Sequence, residues 1–353
     1  MHSWINLSAK NMSDSKRRKL QTPFYPVLSP EFTDETPLTQ VYVDTIKNIK
    51  LISKVLVELN SVLPISELCH LKRARGRDIL VCQCSGDLQS EDVHQILKEK
   101  KFDVSQLEGN IKKILVAEIA PKTKKQYQTV NKLWPCNFHS DKYIEQLHDN
   151  SLFGASEIND HIKYMHIAVD IAKFYNSHSG VTVIDPSINS IVAVGFDTQH
   201  NNPCQHAVMV AIDHVAVTQN GGAWNPTRGD TVACNNKIVS GLPSEALKFL
   251  QEKYTCIEFG AKKFKAKPDA ETPSDGPYLC TGYVLYVTRE PCIMCSMALV
   301  HSRIKRVFFG AKNNSGGLGS LCQIHTVKHL NHHYEVFGGL LEHECSSLVT
   351  VCS

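Results

Sequence analysis

Nowhere in the 353 residues does an apolar run approach the roughly 18 residues needed to cross a bilayer, so no membrane-spanning helix is expected. The opening "MHSWINLSAKNMSDSKRRKL" lacks the apolar block of a secretory signal, and the expected location is the nucleus, the cytoplasm or both. Also missing are a phosphate loop, a dinucleotide fingerprint and the spacing of a hydrolase triad, which removes those chemistries from consideration. Net charge is scarce too: +3 is too little to name a partner by itself. What is present is the composition of a soluble protein, 42% hydrophobic and 21% charged, with enough apolar material for two cores. Thirteen cysteines, an odd count, read in a reducing compartment as core residues or metal ligands rather than disulfides.

The small net charge hides an asymmetry. Residues 1–150 carry 22 of the 38 Lys and Arg against 18 of the 35 Asp and Glu, whereas the remainder carries 16 against 17. Any polyanionic partner is therefore expected at the N-terminal part. Residues 1–40, with a basic run at 16–19 and four prolines, show no hydrophobic period and read as a flexible arm. The basic run has the form of a nuclear import signal and equally of a solvated tail. Over 41–135 the pattern becomes regular: strands "QVYVDTI", "DILVCQC" and "IKKILVAEIA" alternate with helices "LISKVLVELNSVL" and "SEDVHQILKEK", the latter capped by Ser90. This predicts a small α+β domain with helices on one face of its sheet. Lys72, Arg73, Arg75 and Arg77, then Lys122, Lys124, Lys125 and Lys132, punctuate its loops, with Tyr127 and Trp134 among them. Such loops are usually just solvated, but interleaved aromatics favour a nucleic-acid surface.

Residues 136–155 read as a linker, and a second domain is expected over 156–353. Its helix at 156–176, opened by a Ser, is followed by strands "VTVID" and "SIVAVGF", a helix from "HAVMVAID", strand "GYVLYVT", helix "PCIMCSMALVHSRI" and strand "RVFFGA". Between them, 221–277 reads as a long insertion rich in Pro and Gly. The "RGD" at 228–230 is a chance tripeptide in an intracellular chain.

"EPCIMC" sets Cys292 and Cys295 three apart behind Pro291, a proline that favours a first helical position, so both thiols share one opening turn. Alone, C-x-x-C fits a redox pair or half of a structural zinc site. His206, which also opens a helix after a strand, supplies a third ligand and leaves a tetrahedral metal one open position, as in catalytic zinc sites. Water or a C-terminal residue such as Cys352 would fill it. The pattern is that of the zinc base deaminases, H-x-E…P-C-x-x-C, at three positions. The fourth departs: Val208 stands two residues after His206.

"VTREPCIMCSMALVHSRIKRVFFGAKNNSGGLGS" resembles the tRNA adenosine deaminases, and the resemblance extends over about 156–340. Within that family, the missing glutamate, the long insertion and the N-terminal extension resemble the non-catalytic third subunit of the eukaryotic wobble-adenosine deaminase. The resemblance implies a three-layer α/β/α cytidine-deaminase-like domain with a mixed central sheet, one zinc ion per chain held by His206, Cys292 and Cys295, and tRNA as a partner. It further implies a heterodimer with a catalytic subunit that has an intact His-Ala-Glu. In the family, the glutamate carries protons between activated water, base and leaving ammonia. Valine cannot, and losing such a group costs about 10²- to 10⁴-fold. No catalytic residue is therefore expected here. Glu290 precedes the proline as it does in intact members and is read as structural. The residues after Cys295, "SMALVHSRI", fit a subunit contact and equally plain core. Two other readings remain open: an active deaminase with a replaced acid/base residue, and a zinc-stabilised nucleic-acid-binding module. The histidine run "HTVKHLNHH" and Cys204 are read as non-ligands.

Overall fold

The computed structural model describes residues 23–84, 89–224, 233–234, 237–263 and 276–348. Residues 27–149 form one compact unit, and the flanking parts of the chain, up to Pro26 and from Asn150, form a second.

Strand β1, Tyr25–Pro26, belongs to the larger unit. The smaller unit follows with α1 Pro30–Thr33, β2 Leu38–Thr45, α2 Ile52–Val62, β3 Ala74–Arg75, β4 Asp78–Gln83, α3 Ser90–Glu99, β5 Lys112–Ala117, α4 Lys124–Leu133 and α5 Lys142–His148. Its sheet is antiparallel in the order β3-β4-β2-β5. Alternation along β2 sends Val41 and Val43 to one face, where they meet Val130 and Trp134, and Tyr42 to the other, where Val55, Leu59, Val93 and Leu97 pack. The two expected helices, α2 and α3, do share one face, but the other is covered as well, by α4, which reads by sequence as a basic loop: apolar residues at odd and even positions of β2 and β4 demand cover on both. Helix α4 begins in a capping box, Gln126 N–H donating to Thr123 Oγ1 (3.3 Å) and Thr123 N–H to Gln126 Oε1 (3.1 Å). Helix α3 is capped not by Ser90 but at Gln89, whose N–H donates to the Asp92 carboxylate (2.9 Å).

Two further expectations change. The span 136–155 holds helix α5, whose first amides, of Tyr143 and Ile144, donate to the Asp141 side chain. The described part of the arm expected over 1–40, from residue 23, carries β1 and α1. Phe24 is 3% exposed and meets Phe153 and Phe308 edge-on, and β1 pairs with a core strand. Residues 1–22, with the basic run at 16–19, lie outside the described residues.

The larger unit continues with α6 Ala155–Phe174, β6 Gly180–Asp185, β7 Ser190–Phe196, α7 Ala207–Thr218, β8 Ala233–Cys234, β9 Lys237–Ile238, α8 Ser244–Lys253, β10 Glu258–Phe259, β11 Ala261–Lys262, β12 Val284–Arg289, α9 Ile293–His301, β13 Arg306–Ala311, β14 Glu335–Gly338 and α10 Glu342–Ser347. The main sheet runs β1-β14-β13-β12-β6-β7-β10. Strands β12, β13 and β14 are mutually parallel, β6 is antiparallel to both its neighbours, and β10 is parallel to β7. The sheet is therefore mixed. Every residue of β6 is buried, the mark of a strand covered on both faces. Helix α6 covers one face, approaching so closely at Gly180 that a Cβ there would lie 2.0 Å from the Ala168 carbonyl oxygen. Helix α7 covers the opposite face at Gly195, with α9 packed beside it. This is the expected three-layer α/β/α architecture of the cytidine-deaminase-like fold. Helix α6 starts at Ala155, one residue before the start expected, behind its N-cap Gly154, whose N–H donates to Glu157 (2.8 Å).

The expected insertion is partly ordered: β10 extends the main sheet beside β7, and β8, β9 and β11 make a small antiparallel sheet. The tripeptide at 228–230 and most of "KKFKAK" lie outside the described residues. Among the described residues no helix is long and apolar enough to cross a membrane.

Candidate metal centre

Two strand-to-helix junctions build the site. After β7, Asp197 accepts the N–H of Ala207 (2.9 Å), and Thr198 N–H donates to the Gln205 carbonyl (3.0 Å), closing a loop that delivers His206 as the N-cap of α7. After β12, Cys292 is the N-cap of α9, so the helix starts at Ile293, two positions later than Pro291 suggests. Cys295 follows in the first turn and is 2% exposed. Parallel registry does not link these junctions; β6 lies between β7 and β12, and the fold brings their ends together.

The donor atoms of His206, Cys292 and Cys295 all lie within 4.8 Å of one another, with Cys292 Sγ 3.6 Å from His206 Nδ1. The Cys292 thiol is pulled down to about 5, first by the hydrogen bond from the Cys295 thiol, then by the amides of Cys295 and Met294 and by His206, against the effect of burial. Cys295 moves the other way, raised by that same bond and by burial, with Asp197 adding to it. The hydrogen bond between the two thiols, at the positive end of a helix, thus favours the thiolate at Cys292. An imidazole and two sulfurs at this spacing fit a tetrahedral zinc, whose bonds of about 2.0–2.3 Å put neighbouring ligand atoms roughly 3.3–3.8 Å apart.

Val208, second residue of α7, is 3% exposed. The carboxylates nearest the ligands in the chain are committed elsewhere. Asp197 holds the start of α7. Glu290, 2% exposed, accepts the amides of Leu318 (3.0 Å), Ser320 (3.0 Å) and Asn313 (3.2 Å) and the Ser320 hydroxyl, organising the glycine loop as its structural reading expects. A Cβ on Gly316 would lie 2.1 Å from Glu290 Cδ, so the loop closes on this carboxylate only because glycine stands there. Sequence reasoning did not find Asp197: it stands nine residues before His206 in a loop with no motif to mark it.

Among the described residues this is the one such cluster. The histidine run instead closes its own loop, His332 Nε2 donating to the Ile304 carbonyl (2.6 Å) and His333 Nε2 to that of Val327 (3.0 Å). Cys204 is exposed and outside the cluster. Cys352 lies outside the described residues.

The basic loops need correction. Arg73 is buried, 8% exposed, and donates to the carbonyls of Leu63 (2.7 Å), Leu80 (3.0 Å) and Val81 (2.9 Å) and to Asn60 Oδ1 (2.8 Å); burial lowers its pKa to about 10. A guanidinium so enclosed cannot reach an RNA phosphate. Arg75 donates to the Leu133 carbonyl (2.7 Å) and lies over the Trp134 ring, and Arg77 pairs with Glu108 (2.6 Å). Trp134, buried at 1%, is core rather than a base platform, and Tyr127 stacks on Phe138. Lys72, Lys122, Lys124, Lys125 and Lys132 are exposed.

With fold and site described, the class is defined: a cytidine-deaminase-like domain, whose family model, the cytidine and deoxycytidylate deaminase zinc-binding region, matches residues 158–311. A Danio rerio protein named probable inactive tRNA-specific adenosine deaminase-like protein 3 is 34% identical over 344 residues, covering 92% of this chain and 93% of that one. The Homo sapiens protein of the same name is 34% identical, covering 91% and 90%. An Arabidopsis thaliana protein named tRNA-specific adenosine deaminase TAD3 is 26% identical, covering 91% and 95%. The chain belongs to the family of the probable inactive tRNA-specific adenosine deaminase-like 3 proteins.

Proposed function

We propose that this chain is the zinc-binding, non-catalytic subunit of a heterodimeric tRNA deaminase that converts adenosine to inosine at the anticodon wobble position. The observation that carries the reading is Val208, buried beside the three-ligand cluster where an acid/base group would have to stand. His206, Cys292 and Cys295 would hold the zinc, which when bound supplies the Lewis acidity that activates water. Val208 offers that chemistry no proton, and Asp197 and Glu290 are occupied by backbone donors. The metal's remaining task is architectural: it ties the start of α7 to the start of α9.

The partner is a deaminase subunit with an intact His-Ala-Glu. Helices α7 and α9 are apolar nearly all round, yet Ile293 and Met294 are exposed, as suits helices that a second chain covers. Lys72, Lys122, Lys124 and Lys125 of the smaller unit, all exposed, are among the cations that would meet tRNA. Such a subunit works in the nucleus or cytoplasm, where tRNA is processed.

The test is a deamination assay on wobble-adenosine tRNA, with wild-type chain and Val208→Glu, each alone and with the catalytic subunit, and zinc measured in the same samples. Zinc near one per chain, with wild-type activity only in the complex, is the expected result. Inosine formed by the wild-type chain alone would overturn the non-catalytic assignment, and zinc-free chains that still support the complex would remove the architectural role.

A further inference from the structure

Between Glu290 and Glu335 the chain has no aspartate or glutamate for 44 residues, 291–334, but carries five Lys or Arg and five His. The rest of 151–353 holds 11 Lys and Arg against 17 carboxylates, so an acidic unit contains one wholly non-acidic segment. The fold gathers part of it at one end of the sheet, beyond the C-terminus of α9. Arg303, in the left-handed region (φ 60°), turns the chain toward β13. On one side, Cys280 N–H donates to the Ser302 carbonyl (2.9 Å) and Lys305 N–H to that of Tyr283 (3.0 Å), which fixes 278–283 alongside. On the other, His332 donates to Ile304 and His333 to Val327, folding the loop that bears the exposed Lys328 and His329 back to the same end. Tyr278 is 62% exposed, with the Arg303 guanidinium 6.0 Å from its ring centroid. Among the described residues neither Arg303 nor Lys305, both exposed, forms an ion pair with a carboxylate, whereas Arg306 next to them is taken by Glu335.

Attraction to the helix end accounts for one cation after α9. It does not account for the loss of every carboxylate over 44 residues, nor for a large aromatic side chain left in solvent beside the cations. Cations that pair with no carboxylate among the described residues, next to an exposed ring, are what a single-stranded polynucleotide requires: phosphates for the charges and a base face for the ring. We infer that this end of the larger unit is a second RNA contact, in which Arg303 and Lys305 neutralise backbone phosphates and Tyr278 stacks on an unpaired base. The inference rests on the tRNA reading above but concerns a surface outside the basic loops of the smaller unit, whose residue Arg303 lies in the run after Cys295 that fits a subunit contact or core by sequence.

The test uses the full chain complexed with its catalytic subunit and a wobble-adenosine tRNA, with Kd measured across salt concentrations. Arg303→Asn, chosen because Asn tolerates the left-handed backbone, is combined with Lys305→Gln. The slope of log Kd against log salt should fall by about 1.5, since each phosphate contact contributes roughly 0.7–0.9. Tyr278→Ala should weaken binding about 5- to 150-fold, the range of one base stack, with the slope unchanged. Should the double variant melt early, Lys305→Gln alone carries the test, with a slope change of about 0.7. Unaltered Kd and slope in all variants, with wild type binding tRNA, would overturn the inference and leave the proposed function standing. Failure of the wild-type complex to bind tRNA would overturn both. Variants that shed the catalytic subunit while keeping their RNA affinity would make this a protein contact and overturn the RNA assignment.

Discussion

Arg73 and Arg303 stand in segments that look alike as sequence, "LKRARGRD" and "HSRIKRV", yet the molecule uses them in opposite ways. Arg73 is enclosed by β4 and the end of α2, where three carbonyls accept its guanidinium protons. Arg303 sits on a turn whose backbone is already paired, and its charge faces solvent beside Tyr278. A cation is drawn inward where buried acceptors would otherwise go unpaired, and left for a partner where they are already satisfied.

The largest effect expected from this contrast is at Arg73. Arg73→Ala strands the carbonyls of Leu63, Leu80 and Val81 and should cost about 3–4 kcal/mol, read by urea unfolding of the full chain. A loss below about 1 kcal/mol would place Arg73 with the exposed cations and break the comparison. Glu290→Gln asks whether the same rule holds for a buried anion: an amide turns two donors toward donors, and a loss of about 2–3 kcal/mol is expected, with weaker zinc retention against a chelator as the loop beside Cys292 loosens. Least of all should follow from Lys122→Gln, Lys124→Gln and Lys125→Gln together, within about 0.5 kcal/mol of wild type per site. A larger drop would mean that these lysines, too, serve the fold.

The metal centre was legible because its information is local. Cys292 and Cys295 lie within one helical turn, and His206 is marked by the same strand-then-helix arrangement, so spacing and residue type sufficed to propose their meeting. In the α+β smaller unit strands β2, β4 and β5 and helices α2 and α3 were legible, whereas β3 was not, and α4, as long as α3, reads by sequence as a basic loop although it covers the second face of the sheet. An alternating strand such as β2 states that it has two faces and not what covers each. Phe24, helix α5 and the edge strand β10 were missed because short elements carry no full hydrophobic period and are held by contacts far away in sequence: Tyr25 pairs with Gly338, and Glu258 with Ser190.

By itself the sequence determined the chemistry available, namely an imidazole and two thiols at deaminase spacing with a valine two residues after the imidazole, and the order of the elements that present them. Only the tertiary structure decided which charges are free. The reason is physical: whether an arginine binds a partner or its own backbone depends on unpaired carbonyls and carboxylates within about 3 Å, a distance set by chain segments that meet only when the sheet has formed.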